Sequence, residues 1–183
     1  SNLSFYYVQL ANFTRGGKNH PDWVEVQDEM RRLLDDSNSK TGHVGMATIN
    51  EIGHPTNIHP ANKKDVGQRL ARWAFKQDYG MKDVIVSGPL YKSHAVKGNA
   101  IEVSLDYAVG LKSRDGKPLG SFELAGADNQ WKPAEAKIAG QKIVVSSKQV
   151  SKPTQARYAW KSDPTKANLI NAEGLPTSCF ITK

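Results

Sequence analysis

The stretch EIGHPTNIHPANKK, at positions 51–64, holds the densest group of side chains capable of chemistry in this chain of 183 residues. It contains two imidazoles, His54 and His59, and one carboxylate, Glu51. Its prolines restrict the backbone and its glycine permits a tight bend, so the sequence predicts an ordered loop. His59 precedes Pro60, a residue that favours the first position of a helix. There an imidazole could act as a general base, because the helix dipole disfavours its protonated form.

Two other interpretations of this loop stay open on the residues alone. The loop could be an ordinary surface turn in which the histidines have no chemical role. It could also bind a metal through His54 and His59, with Glu51 or His43 as further ligands. The spacing of these residues matches no recognised zinc motif, so the metal site is the least favoured of the three interpretations.

Composition and charge exclude several other classes of protein. The chain is 38% hydrophobic and 23% charged, which is typical of a globular protein. No apolar run approaches the roughly 20 residues of a membrane span, and no signal segment stands at the start. The net charge is +7, but acidic residues lie between the basic ones, which favours a solvated surface over a nucleic-acid site. The single cysteine, Cys179, excludes an internal disulfide framework.

The first 84 residues alternate between strand and helix patterns. Aromatic and β-branched residues predict buried strands at 5–10 and 45–49, and helical spacing predicts helices that begin at Pro21 and Pro60. This alternation is typical of a parallel α/β layer. Two strands and two helices cannot cover both faces of a parallel sheet, so we expect a missing upstream segment. The predicted inward stripe of the first helix consists of Trp23, Val26, Met30, Leu33 and Leu34.

The pattern changes to a period of two after about residue 84. Apolar and polar residues alternate at 101–107, and similar runs follow at 142–145 and 156–160, which predicts half-buried antiparallel strands. We therefore expect an α/β unit over 1–84 and a β-sandwich or jelly-roll-like domain over 85–183.

This organisation places the histidine loop at an edge where ligands commonly bind. The loop follows the strand at 45–49, and in open α/β sheets ligands gather at the carboxyl ends of the strands. His59 would then stand where that strand end meets the next helix. The arrangement favours a functional site, although an incidental surface turn remains possible.

Five blocks of the sequence occur in a characteristic order, and they are spread over almost the whole chain, from residue 5 to residue 180. They read FYYVQLANF, EIGHPTNIHPANKKDVGQRLARWA, SGPLYKS, GSFELAGADNQWKPAEAKIAG and ARYAWKSDPTKANLINAEGLPTSCF. These blocks resemble the C-terminal stretch of the sialate O-acetylesterase family, which belongs to the SGNH-hydrolase superfamily. The resemblance implies that residues 1–84 are the C-terminal part of an SGNH, flavodoxin-like α/β domain. It also implies a secreted or periplasmic serine esterase that removes O-acetyl groups from sialic acid without a metal or organic cofactor.

The resemblance assigns roles to residues of the histidine loop. The catalytic histidine of the family lies in an IHP-x-NK block, which implies that His59 is the general base here. Thr56 occupies the place, three residues before the histidine, where an acid would stand in an Asp-x-x-His spacing. Glu51 is then the loop carboxylate that could orient His59. Alternatively, a backbone carbonyl holds the imidazole and the enzyme uses a Ser-His dyad.

The nucleophile of the family is missing from this sequence. The family's serine lies in a Gly-Gln-Ser block far upstream, and the chain contains neither that block nor a Gly-x-Ser-x-Gly elbow. We therefore expect a C-terminal portion that is inactive alone, with an N-terminal segment of the same enzyme as its partner and an O-acetylated sugar as its substrate. The serines of the β half lie in strand or turn contexts: Ser87, Ser93, Ser121 and Ser146.

A rival interpretation belongs to another functional class. In it the β half is a non-catalytic module that binds a glycan or packs against a partner domain. Trp131 would be the aromatic side chain that contacts the sugar, although a tryptophan is more often part of a core.

Overall fold

The computed structural model of the chain describes residues 3–40 and 43–182, and these residues form two compact units. Unit 1 comprises Ser1–Ser87 and Lys161–Asp163, and unit 2 comprises Gly88–Trp160 and Pro164–Lys183. The sequence placed a single boundary between residues 84 and 85. The division into separate domains stays a prediction, and the return of residues 161–163 to unit 1 had no signal in the sequence.

Unit 1 contains a pair of parallel strands and two helices. The two strands pair in parallel from Phe5 opposite Val44 to Val8 opposite Ala47, which confirms the predicted pairing. No helix in the described part of the chain is long and apolar enough to cross a membrane. The elements are β1 (Phe5–Val8), a short 3-10 turn (Arg15–Gly17), α1 (Pro21–Lys40), β2 (Val44–Ala47) and α2 (Lys63–Gln77).

Helix α1 turns a largely polar face towards the interior of unit 1. Gln27 is buried, and its Nε2 donates a hydrogen bond to the main-chain oxygen of Leu10 at 2.8 Å. Asp28 and Arg31 are buried together and joined by a hydrogen bond of 2.9 Å. Buried polar groups cost little when they are hydrogen-bonded, so this face can pack inward.

Part of the predicted apolar stripe of α1 consequently faces outward. Val26 and Leu33 are each 49% exposed, and with Met30 they line a shallow groove on the outer side of the helix. Only Leu34 of the stripe is fully buried. The sequence prediction was therefore wrong for Val26 and Leu33, because apolar spacing does not show that the polar face is satisfied inside.

Helix α2 begins at Lys63, three residues later than predicted. Asn62 caps it, since its Oδ1 accepts a hydrogen bond from the main-chain N–H of Asp65 at 3.1 Å. Trp73 is buried against β2 and donates from Nε1 to the main-chain oxygen of Met46 at 2.9 Å. Gly45 faces the indole, and any side chain there would clash with it. This close approach fixes α2 against the strand that leads into the histidine loop.

Unit 2 is built from antiparallel strands. Seven of them form one sheet in the order β11-β9-β6-β7-β8-β4-β3, and β10 pairs with β5. In β4 the alternation predicted from the sequence is confirmed, because Ile101, Val103 and Leu105 are buried. The strands are β3 (Leu90–Lys97), β4 (Ala100–Asp106), β5 (Lys112–Ser113), β6 (Phe122–Ala125), β7 (Lys132–Ala139), β8 (Lys142–Ser146), β9 (Gln155–Tyr158), β10 (Leu169–Ile170) and β11 (Phe180–Ile181).

The large sheet of unit 2 curls until its two edge strands approach each other. Tyr91 in β3 stacks on Phe180 in β11, with their ring centroids 5.3 Å apart. Tyr158 continues the aromatic cluster at 5.9 Å from Phe180, and its hydroxyl accepts a hydrogen bond from the N–H of Leu169 at 3.1 Å. The antiparallel β unit was predicted, but its main sheet is continuous and nearly closed instead of two sheets packed face to face.

Asp115 stabilises the turn after β5 through its carboxylate. The Oδ1 atom accepts hydrogen bonds from Ser113 Oγ at 2.7 Å and from Asn168 Nδ2 at 2.9 Å. The N–H of Lys117 donates to the same oxygen at 3.2 Å. These bonds, with that from Ser113 the strongest, lower the pKa of Asp115 from 3.8 to about 2.

We expect Asp115→Asn to reduce the loss of stability of unit 2 in acid. A carboxyl whose pKa is lower in the folded state stabilises the fold above its unfolded pKa. That stabilisation is lost as the pH falls towards the folded value. Urea unfolding at about pH 6 and about pH 2.5 should therefore show a larger fall for the wild type than for the variant. Asp128→Asn, at another turn aspartate, is the control, and equal falls for wild type and Asp115→Asn would contradict the assignment.

Candidate functional site

His59 lies in the long loop that joins β2 to α2. Because β2 ends at Ala47, this loop leaves the carboxyl end of the parallel pair. His59 is exposed, and its main-chain N–H donates to Asn57 Oδ1 at 2.9 Å. Within the described residues its imidazole forms no hydrogen bond. Both ring nitrogens therefore remain available to a further group.

The start of α2 changes the electrostatic argument for His59. The cap of the helix is Asn62, and the first helical residue is Lys63, so Pro60 and Ala61 separate the imidazole residue from the cap. The effect of a helix dipole falls off within one turn. The prediction that the helix begins at Pro60 was wrong, and so was the helix-dipole effect on His59 that depended on it. What the loop does provide is a fixed backbone next to an exposed ring.

Glu51 is paired with Arg69 of α2. The Nη2 atom of Arg69 donates to Glu51 Oε1, and its Nη1 donates to the main-chain oxygen of Thr48 at 2.6 Å. Both charged side chains are only 12% exposed, so each neutralises the other in a largely buried position. The second carboxylate oxygen of Glu51, Oε2, is buried and has no hydrogen-bond partner among the described residues. Glu51 and His59 thus lie in the same loop but are not hydrogen-bonded to each other.

His54 participates in the turn itself. Its Nδ1 accepts a hydrogen bond from the main-chain N–H of Thr56 at 3.2 Å and lies 3.2 Å from Thr56 Oγ1. A β-bridge joins His54 to Asn57 across the turn. In the part of the chain that the structure describes, no three histidine, cysteine or acidic side chains are grouped so that they could hold a metal ion.

The segment that follows β1 holds the histidine loop in place. Asn12 Oδ1 accepts a hydrogen bond from the N–H of Gly53 at 2.7 Å. Thr14 donates twice to the main-chain oxygen of Pro55, from its N–H at 2.7 Å and from its Oγ1 at 2.6 Å. A Cβ atom at Gly53 would clash with Asn12, so glycine is required there for close approach.

Sequence reasoning did not identify the residues that support the loop. Asn12 could have been found, since a polar residue just after a strand lies at the edge where sites form. Arg69 carried no such signal, because charged residues are common on the exposed faces of helices. Asp163, whose Oδ1 accepts a hydrogen bond from Asn12 Nδ2, lies 151 residues away along the chain.

The serines considered in the sequence lie outside any strand-to-helix turn. Ser93 lies in β3 and Ser146 in β8. Ser121 adopts a φ of 62° in the turn before β6, and Ser87 is buried at the end of the first part of unit 1. The nucleophile elbow of an α/β hydrolase needs a sharp turn between a strand and a helix. These four positions do not provide one.

Trp131, the candidate for sugar binding, contacts a charged side chain of unit 2. The guanidinium of Arg157 lies over its ring, 4.2 Å from the centroid. Arg157 Nε also donates to Glu123 Oε2 at 2.7 Å. One face of the indole is therefore covered, and the half-buried ring contributes to the packing of the sheet.

Comparison with known proteins gives a match among solved structures. No profile of a protein family matches the chain, and no curated protein sequence does. The crystal structure of a carbohydrate acetylesterase from Xanthomonas citri is 38% identical in sequence, with a TM-score of 0.86. The match covers 100% of this chain but 41% of the neighbour, so the chain spans less than half the length of that protein. This chain is thus similar, over its full length, to part of a carbohydrate acetylesterase.

Proposed function

We propose that this chain is part of a carbohydrate O-acetylesterase and that His59 is the general base of the enzyme. The observation that carries the proposal is an exposed imidazole, without a hydrogen bond to any described residue, in the loop that leaves the carboxyl end of β2. It occurs in a chain 38% identical to part of a carbohydrate acetylesterase. An imidazole with a free ring nitrogen can accept the proton of a hydroxyl nucleophile. The hydrogen bonds of Gly53 with Asn12 and of Pro55 with Thr14 support this role, since a base must be held in place before substrate binds.

The proposed reaction passes through an acetyl-enzyme. His59 takes the proton of a serine hydroxyl while the serine oxygen bonds to the acetyl carbonyl carbon. It returns that proton to the sugar oxygen as the bond between the carbonyl carbon and that oxygen breaks. Water then attacks the acetyl-enzyme, and His59 transfers a proton from the water to the departing serine oxygen. Each cycle consumes one water and releases acetate, a proton and the free sugar hydroxyl.

We propose that the serine belongs to a segment beyond this chain, in an SGNH-type α/β domain. The sequence has no Gly-Gln-Ser block, and the solved neighbour is more than twice as long as the matched region. In the described residues β1 and β2 pair only with each other, which leaves strand edges available for further strands. The exposed Val26 and Leu33 of α1 also suit a surface that another segment covers.

Glu51 is proposed as the residue that orients His59. Arg69 fixes one oxygen of the carboxylate, and the other oxygen, Oε2, has no partner in the described chain and can accept an imidazole N–H. The alternative is a Ser-His dyad in which a backbone carbonyl holds the ring. The two arrangements differ in whether removal of the carboxylate charge slows the reaction.

The substrate is proposed to be an O-acetylated sialic acid, in a secreted or periplasmic enzyme. The support for this is the resemblance of five sequence blocks to sialate O-acetylesterases. The structural neighbour supports the broader class, because it is described as a carbohydrate acetylesterase.

Replacement of His59 tests the proposed function. In a complete enzyme that contains this chain, His59→Ala should lower kcat by on the order of 10³-fold, because the serine loses its proton acceptor. His54→Ala is the matched control and should cost far less, since His54 bonds only within its own turn. Rates on an O-acetylated sialic acid and on acetylated xylan would also identify the preferred sugar. Similar losses for the two histidine variants would contradict the assignment.

The isolated chain should not hydrolyse an aryl acetate faster than buffer. The physical reason is that a general base without a nucleophile has no hydroxyl to activate. The His59→Ala form of the chain is the control and should give the same background rate. Turnover that a fluorophosphonate abolishes would reveal a reactive serine within the chain and would contradict the proposed division of the site.

Glu51→Gln distinguishes the triad from the dyad. In the complete enzyme we expect kcat, measured well below the melting temperature of the variant, to fall by more than about tenfold. The melting temperature should also fall, because Arg69 loses its largely buried partner. The control is Glu102→Gln, which removes the charge from an ion pair with Lys142 in unit 2. If kcat of Glu51→Gln stays near that of the wild type, a backbone carbonyl holds the imidazole instead.

A further inference from the structure

We propose that Asn12 is a positioning residue for the histidine loop, with the orientation of its side-chain amide fixed by Asp163. The inference rests on the proposed role of His59 and names the residue that sets the conformation of the loop before it. Asn12 is 7% exposed, and both ends of its amide are hydrogen-bonded within unit 1.

The orientation of the Asn12 amide is set by its two hydrogen-bond partners, of which Asp163 is an acceptor and the Gly53 N–H a donor. The carboxylate of Asp163 can only accept, so the Nδ2 of Asn12 must face it, and the two atoms are 2.7 Å apart. The Oδ1 of Asn12 is thereby directed at the N–H of Gly53, also at 2.7 Å. A main-chain N–H can only donate, so the opposite orientation of the amide would leave both contacts without a hydrogen bond.

Asp163 is held firmly enough to act as this reference. The preceding residue, Ser162, accepts a hydrogen bond from the N–H of Phe13 through its main-chain oxygen at 2.8 Å. Its own N–H donates to Asn19 Oδ1 at 2.9 Å, and its buried Oγ accepts from the N–H of His20 at 2.8 Å. The segment that carries Asp163 is therefore bound to the stretch that follows Asn12, at three residues, and not only through Asn12 itself.

The contact at Gly53 controls the part of the loop that leads to His59. The loop lies so close to Asn12 that no side chain fits at Gly53. Pro55 lies two residues after Gly53, and its main-chain oxygen accepts a hydrogen bond from Thr14. Further along the loop, Asn57 Oδ1 accepts a hydrogen bond from the N–H of His59. A change at Gly53 thus alters the start of a continuous series of contacts that ends at the imidazole residue.

Asn12 acts through the loop rather than on a substrate. Its side chain is buried, and its amide oxygen and nitrogen each have a partner already. The expected consequence of disturbing it is a displaced His59 with the fold retained. Measurements on the loop and on the whole chain can separate these two effects.

An exchange of the two side chains provides the test. Asn12→Asp places a second carboxylate against Asp163, so neither can donate and the pair repels. Asp163→Asn alone should resemble the wild type, because an amide oxygen still accepts from Asn12. In the double variant Asn12→Asp with Asp163→Asn, the hydrogen bond reforms with donor and acceptor exchanged, and a carboxylate oxygen still accepts from Gly53.

The measurements are made on the 183-residue chain by NMR. In Asn12→Asp we expect repulsion from Asp163 to move the new carboxylate away from Gly53. The Gly53 amide should then exchange roughly tenfold faster, as for loss of one hydrogen bond, and the His59 ring signals should shift. The double variant should return both to wild-type values. Asn168→Asp is the matched control, because it puts a carboxylate against Asp115 in unit 2 in the same way. It should lower the melting temperature without moving the Gly53 or His59 signals.

Each other result overturns the proposal. Unchanged Gly53 and His59 signals in Asn12→Asp would show that the loop does not depend on this residue. Equal shifts in Asn168→Asp would show a general effect of lower stability. If Asn12→Asp does not fold, the double variant decides. Gly53 and His59 signals that differ from wild type in a folded double variant would overturn the proposal, and wild-type signals would support it. These NMR results do not depend on esterase activity, so a failure of His59 as the base would be recognised separately by its own kinetics.

Discussion

The hydrogen bond from the Gly53 N–H to Asn12 Oδ1 is the contact on which the position of His59 depends most. Residues 54–59, the part of the loop between β2 and α2 that ends at His59, are all exposed, so they have little apolar burial to order them. The conformation of the loop is set instead by polar ties: to Asn12, to Thr14 and, through Glu51, to Arg69. Because Asn12 is buried, breaking its hydrogen bond to Gly53 would leave polar groups without partners. Breaking this bond therefore costs more free energy than breaking an exposed hydrogen bond.

Unit 1 has the features of a layer that other elements could complete. A parallel pair of strands is unusual by itself, since parallel sheets are normally covered on both faces. Helix α1 also has an uncovered surface, because its polar residues are buried inside unit 1 and Val26 and Leu33 are exposed on the outside. Both features agree with the proposal that another segment supplies the rest of an α/β domain and the nucleophile.

Unit 2 differs from unit 1, because most strands of its main sheet are paired within the unit. Five of the seven strands described in that sheet have a neighbour on each side, and the aromatic cluster around Tyr158 links the regions of its two edge strands. Trp131 contributes to this packing through Arg157, which weakens the case for a separate sugar-binding module. The side chains that could take part in catalysis therefore lie in the histidine loop of unit 1, where the imidazole of His59 has no hydrogen bond to any described residue.

The sequence by itself determined the order of strands and helices in unit 1, the parallel pair, the alternation in β4 and the identification of His59 as the candidate general base. These follow from local spacing or from a short block, and both are properties of neighbouring residues. Only the tertiary structure decided that α1 turns Gln27 and Arg31 inward, that Glu51 pairs with Arg69, and that α2 begins after Pro60. It alone joined Asn12 to Asp163, 151 residues apart. The physical reason is that a periodic pattern encodes the spacing of side chains along one element, whereas the partner of a buried polar group depends on how separate elements pack.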